Sequence, residues 1–228
     1  MSQGRLETIL FDLDGTLIDS TELILSSFRH TMRTHLGRQL PDEDWLSTMG
    51  RPLRTQLRDF ARDEADVEAM MATYSTHNDE YHDAAIAAFP GVAPLLGALL
   101  EAGHTLGIVT SKRKEFALRG LRVSGLPVEW FGAIVTADDV ERHKPDPEPL
   151  LVALSTLGCE SPGTAMYVGD SPFDMAAGRA AGVATVAVAW GPHDEESLAR
   201  HSPDFTLVKP NDLLEILRGR GRDTGPGE

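Results

Sequence analysis

From Thr105 onward the chain alternates short apolar runs with amphipathic helical stretches, and this alternation restricts the fold more than any other feature. Thr105 to Val109, Ala133 to Thr136 and Ala165 to Val168 read as strands, and Lys114 to Val123, Glu148 to Leu157 and Phe173 to Ala181 as the helices between them. Val183 to Val188 and Phe205 to Val208 continue the pattern, each followed by a shorter helix. Strands joined through helices run parallel, and a parallel sheet is stable when helices cover both faces. The predicted class is therefore α/β.

Ile9, Leu10 and Phe11 form one more strand, halted by Asp12-Leu13-Asp14-Gly15. Between it and the alternating region the pattern is helical. Asp19 is a plausible N-cap with Glu22 three residues on, and Leu23, Ile24, Phe28, Met32 and Leu36 follow at helical spacing. Pro41-Asp42-Glu43-Asp44 opens a helix ending near Met49-Gly50; Arg51 to Phe60 and Glu64 to about Ala87 read as two more. No strand is expected from Asp19 to Phe89. The expected organisation is a Rossmann-like parallel-sheet core from residues 1–18 and 89–218, a helical cap inserted at 19–88, and a disordered tail at 219–228.

A chain of 228 residues with 41% hydrophobic and 25% charged residues has enough material for a full core. Its net charge of −14 argues against a general nucleic-acid binder, because a phosphate backbone needs a basic face. No apolar run is long enough to cross a bilayer, and the N-terminus lacks a signal-peptide layout, so no membrane association and a cytoplasmic location are expected. The single cysteine, Cys159, cannot form an intrachain disulfide. Nothing in the sequence points to a protein partner.

The polar residues at the strand ends suit one reaction. In open parallel sheets ligands bind beyond the carboxyl ends of the strands, where Asp12 and Asp14 fall. A carboxylate there can attack phosphorus, and a second one two residues on can serve as acid and base. Close carboxylates repel each other and a hard cation such as magnesium relieves this. The glycine spacing does not fit a calcium loop of the EF-hand type, which places glycine sixth and glutamate twelfth, whereas here Gly15 is fourth and Leu23 twelfth. Thr110 can orient a phosphate oxygen, Lys144 can neutralise charge, Asp170 can complete a metal site, and Asp174, one turn later, can orient the lysine or the metal's ligands. Thr110 and Ser111 could equally cap a helix, and Lys144 alone could be a solvated charge. Their joint occurrence at successive strand ends favours phosphoryl chemistry.

Asp12-Leu13-Asp14-Gly15-Thr16-Leu17, Thr110, Lys144, and Gly169-Asp170 through Asp174 resemble, in order, the four motifs of the haloacid dehalogenase-like hydrolase superfamily. The resemblance covers nearly the whole chain and includes the helical cap. It implies that Asp12 is the nucleophile and Asp14 the general acid and base. It also implies that Asp12, the backbone carbonyl of Asp14 and Asp170 hold Mg2+, and that Thr110 and Lys144 hold the phosphoryl group. Dehalogenases of the superfamily lack the second aspartate, so Asp14 points to the phosphatases.

Within these, Phe11 to Ser20 and Val168 to Ser171 look like the phosphoglycolate phosphatase group. Thr136 to Val140, Lys144 to Pro149, Val188-Ala189-Trp190 and Pro203-Asp204-Phe205 look closer still to its inorganic pyrophosphatases. The expected substrate is a small phosphorylated compound, inorganic pyrophosphate first and phosphoglycolate or another phosphomonoester second. A sugar phosphomutase, and a non-catalytic binding protein that kept the fold, are the competing readings. Ser111 joins Thr110 as a substrate-binding candidate; Arg51 and Arg54 either bind a second anionic group of the substrate or are solvated charges at a helix start. His77 and His82 share no ligand spacing with a carboxylate and read as surface or packing residues.

Overall fold

The computed structural model describes residues 6–222. In chain order these form β1 (Thr8–Phe11), β2 (Ile18–Asp19), α1 (Thr21–Leu36), α2 (Asp42–Leu46), α3 (Leu53–Arg58), α4 (Glu64–Ala85), β3 (Ala87–Ala88), α5 (Val92–Glu101) and β4 (Thr105–Val109). They continue with α6 (Lys114–Val123), β5 (Ala133–Val135), α7 (Glu148–Thr156), β6 (Ala165–Gly169), α8 (Pro172–Ala181), β7 (Ala184–Val188), α9 (Glu195–Ala199), β8 (Phe205–Leu207) and α10 (Asp212–Arg222).

Six strands make a parallel sheet in the order β5-β4-β1-β6-β7-β8. β1 lies inside it, and all four of its residues are buried because side chains on both faces meet helices. Ile9 and Phe11 pack with Leu96, Leu99 and Leu121 on one face; Leu10 packs with Leu150, Leu154 and Tyr167 on the other. The register pairs Phe11 with Ile108 of β4 and with Val168 of β6. The residues just past these partners, Asp12, the Thr110 region and Asp170, are thereby brought to one edge. This register turns three separate sequence motifs into neighbours.

Helices α1 to α4 have a separate core of Phe28, Trp45, Leu57, Met70 and Tyr74, with the Phe28 and Trp45 rings stacked at 4.7 Å. α1 ends where Gly37 turns into the left-handed region and its N–H bonds Arg33 O, the usual way a helix satisfies its last carbonyls. α4 starts at Asp63, whose side chain accepts from Asp66 N.

Three expectations are corrected here. Asp19 is not a helix cap: it belongs to β2, which pairs antiparallel with β3 at both crossings between the sheet and the helical segment, so that segment is bounded by strands the sequence did not suggest. The N-cap position of α1 is Ser20, whose hydroxyl is used elsewhere. A tail beginning at Gly219 is also excluded, because α10 continues to Arg222; the remainder of that expectation, residues 223–228, lies outside the described residues. The helices predicted over 41–50, 51–60 and 64–87 are shorter than expected, ending at Leu46, Arg58 and Ala85. Among the described residues no helix is long and apolar enough to cross a membrane.

Candidate active site

Asp12 follows β1 directly, held by its N–H to Val168 O at 2.8 Å. Its carboxylate is buried, and Lys144 Nζ forms an ion pair with Oδ1 at 3.0 Å. No other side chain engages this buried oxygen, which keeps a lone pair free. Burial pushes the Asp12 pKa well above the ordinary carboxylate value; Lys144 opposes that, and the charges of Asp174 and Asp170 add to it.

Lys144 is buried with Nζ 2.7 Å from Asp174 Oδ1 and 3.1 Å from the Tyr167 hydroxyl. Burial alone would lower its pKa, but the charges of Asp12 and Asp174 outweigh this and raise it, so the group stays an ammonium. Asp174 is fully used. Its Oδ1 receives Lys144 and lies 2.9 Å from the Tyr167 hydroxyl, and its Oδ2 receives the N–H and hydroxyl of Ser171. The Ser171 exchange is a capping box that starts α8, so the residue that fixes the lysine is itself fixed by a helix terminus. Tyr167 has one proton to share between Asp174 Oδ1 and Val109 O, each 2.9 Å away.

Asp170 follows β6 directly and is buried, accepting from Thr16 Oγ1 at 2.9 Å. Gly15 and Gly191 press on it: a Cβ at either position would collide with its side chain, and Gly15 also needs its positive φ of 82°. Trp190 Nε1 donates to Thr16 O at 3.0 Å and ties the two loops together. His193 Nδ1 lies 3.5 Å from Asp170 Oδ2, and neither ring nitrogen has a hydrogen-bond partner although both are buried. Burial would lower the His193 pKa; the close side-chain contact with Asp170 and the Asp170 charge override this and raise it.

Asp12, Asp170 and Asp174 each offer a carboxylate oxygen within 4.8 Å of the others. With Asp174 bonded on both oxygens, Oδ1 of Asp12, which keeps a lone pair free, and the carboxylate of Asp170 are the natural oxygen donors. A hard divalent cation fits this donor set, since its charge would offset the burial that, together with the neighbouring carboxylate charges, holds the Asp12 and Asp170 pKa values up.

Asp14 sits apart from that group. Its Oδ1 accepts from Ser20 Oγ at 2.6 Å and from Lys112 Nζ at 2.7 Å. Burial would raise its pKa, but the Lys112 charge and these two hydrogen bonds leave it below the ordinary value.

A cavity of about 410 Å³ opens above the carboxylates between the sheet edge and α1 to α4. Asp12, Asp14, Thr110, Ser111, Lys144 and Asp170 lie on its wall, as do Arg51 and Arg54. Thr110 Oγ1 accepts from Lys112 N at 3.2 Å. Ser111 points its hydroxyl across the gap to Gly50 O at 2.6 Å and so links the sheet edge to the helical segment. The two arginines reach the wall with their guanidinium groups engaged: Arg51 with Asp59, and Arg54 with both Glu64 and Glu68. His82 is buried on α4, with Nδ1 at 2.9 Å from Asp83 Oδ1 and Nε2 unpartnered.

Sequence reasoning did not single out Lys112, Tyr167 or His193. A tyrosine within an apolar strand is a signal, because a buried hydroxyl needs a partner. Lys112, two residues past Thr110, carried only proximity, and His193 carried no signal.

Comparison with known proteins settles the family. A model of haloacid dehalogenase-like hydrolases matches residues 9–188. The chain belongs to that family. As such a hydrolase it has relatives over nearly its whole length. It is 42% identical over 217 residues to a pyrophosphatase PpaX of Bacillus pumilus, covering 95% of this chain and 99% of that one. It is 41% identical over 216 residues to a pyrophosphatase PpaX of Bacillus velezensis, with 95% and 98% covered. Among solved structures, a hydrolase from Pseudomonas syringae superposes with a TM-score of 0.84 at 26% identity, covering 93% of this chain and 98% of that one.

Proposed function

We propose that this hydrolase is a magnesium-dependent phosphohydrolase whose preferred substrate is inorganic pyrophosphate, and that it works through phosphoryl-Asp12. The observation that carries the reading is the buried Asp12 carboxylate, on the wall of the cavity, whose Oδ1 has no side-chain partner besides the Lys144 ammonium 3.0 Å away. A nucleophile needs a free lone pair, and phosphoryl transfer needs a cation beside it. The full-length similarity to pyrophosphatases supports the choice of substrate.

On this reading Asp12 attacks phosphorus while Asp14 protonates the departing oxygen; Asp14 then takes a proton from the water that cleaves the acyl phosphate. Lys144, held by Asp174, and the Thr110 hydroxyl steady the transferring phosphoryl group. Asp12, Asp170 and the backbone carbonyl of Asp14 would hold Mg2+, which supplies further neutralisation of the phosphoryl oxygens. Residues 19–88 act as a cap that keeps water from the cavity, and Ser111 serves as a contact holding that cap to the sheet edge.

The test is phosphate release, with magnesium and with chelator, from pyrophosphate, phosphoglycolate, a sugar phosphate, a nucleotide and an aryl phosphate. Pyrophosphate should be turned over fastest, and chelator should stop release from every substrate. A preference for phosphoglycolate would replace the substrate. No magnesium-dependent release from any of them would overturn the reading.

A further inference from the structure

We infer that Lys112 is a specificity-determining residue that binds the departing group of the substrate and favours departing groups that carry negative charge. The inference rests on the proposed roles of Asp12 and Asp14.

Its basis is where the cavity's cations are committed. Lys144 is bound to Asp12 and Asp174, on the side of the nucleophile. Arg51 and Arg54 are tied to carboxylates of the helical segment, and Arg113 to Asp138. Lys112 instead reaches from the loop after β4 to Asp14, with Nζ 2.7 Å from Oδ1. An acid lies within about 3 Å of the atom it protonates. Oδ1 of Asp14 is taken by Ser20 and Lys112, so Oδ2 is the oxygen that carries the proton, and the oxygen that leaves phosphorus stands within roughly 8 Å of the Lys112 ammonium, given its 2.7 Å contact with Oδ1. The Lys112 side chain is 15% exposed and lines the cavity, so rotation about its flexible stem suffices to exchange Asp14 for an incoming anion.

The chemistry then divides by substrate. As Asp12 forms its bond to phosphorus, the bridging P–O bond breaks and its electron pair stays on the bridging oxygen, which takes the proton of Asp14. With pyrophosphate the departing species is a phosphate anion, and Lys112, keeping its own protons, neutralises it. With phenyl phosphate the protonated departing group is neutral and gains little from an ammonium. Moving Lys112 onto the anion also removes a hydrogen bond from Asp14, whose carboxylate is then free to take from solvent the proton that it passes to the departing oxygen.

The experiment compares Lys112→Met and Lys112→Arg with the unaltered enzyme on pyrophosphate, phosphoglycolate and phenyl phosphate, each with magnesium. Lys112→Met should lose roughly ten- to a hundredfold more kcat/KM on pyrophosphate than on phenyl phosphate, the worth of one charge-assisted hydrogen bond. Inorganic phosphate should become a weaker inhibitor of Lys112→Met, and Lys112→Arg should recover most of the preference. Equal losses on all three substrates, with unchanged phosphate inhibition, would make Lys112 a mere support for Asp14 and overturn the inference. If the unaltered enzyme ignores pyrophosphate, the proposed substrate fails, and phosphoglycolate, whose departing group bears a carboxylate, decides Lys112 by the same comparison. An unaltered enzyme that turns over phenyl phosphate alone overturns both.

Discussion

Asp174 does two jobs with its two oxygens: Oδ2 closes the capping box of α8, and Oδ1 holds Lys144 beside Asp12. Removing one member of a buried ion pair costs roughly 3–5 kcal/mol when the other charge is left alone, and here Lys144 keeps Asp12 as a partner, so the low end of that range is expected. Asp174→Asn should therefore lower stability by about that much near neutral pH, measured by urea unfolding of chelator-treated protein. The sign of the pH dependence follows from the direction of the shift. Burial pushes the Asp174 pKa up, but Lys144 and its hydrogen bonds hold it below the ordinary aspartate value. Its contribution is thus fully present above about pH 4 and is lost as pH falls through the lowered folded value. The gap between the two proteins should narrow on acidification; a gap that stays constant would contradict the pairing. At this scale the sequence was legible in part. Asp12, Asp14, Thr110, Lys144, Asp170 and Asp174 stand out because each sits at or beyond a strand end. The contact of Lys112 with Asp14, 98 residues away, does not stand out, because no periodicity records which loop tip leans on which.

The elements were the most legible level where their patterns are long. The sheet strands are continuous apolar runs buried on both faces and the helices between them each bury one recognisable face, whereas β2 and β3 have two residues each, too few to display a pattern. Their pairing is decided by the return of the chain, where Phe89 N bonds Leu17 O at 3.1 Å. Helices α2 and α3 were overestimated because acids and arginines at helical spacing say where a helix can start; they say little about where tertiary contacts end it. The core of the helical segment supplies a test at this scale. Trp45 is fully buried among Phe28, Phe60 and Tyr74, and its indole N–H has no partner. Trp45→Ala should cost roughly 3–5 kcal/mol. Trp45→Phe should cost far less, since it keeps the ring stack and removes an unsatisfied donor. Amide exchange along α1 and α4 is the measurement, and similar acceleration in both variants would show that ring packing does not hold this segment together.

The whole molecule brings a negatively charged chain to handle a negatively charged substrate. With a net charge of −14, its attraction for an anion has to be local, and the structure concentrates cations at one sheet edge: Lys112 and Lys144 face the cavity beside the carboxylates, under the contact from Ser111 to Gly50. The parallel register gathers the aspartates, the burial of Lys144 keeps its charge undiluted by water, and the helical segment roofs the cavity. The order of strands was not written in the sequence pattern, yet it decides that Asp12 lies between the ends of β4 and β6. The central claim is that Asp12 becomes phosphorylated. The most direct measurement is rapid acid quenching of the enzyme during turnover of pyrophosphate with magnesium, followed by mass analysis of the peptide that carries Asp12. A phosphoryl group should appear on that peptide within a turnover and be absent from Asp12→Asn, which should also release no phosphate. Turnover by the unaltered enzyme with no phosphoryl group on Asp12, or undiminished turnover by Asp12→Asn, would contradict the account.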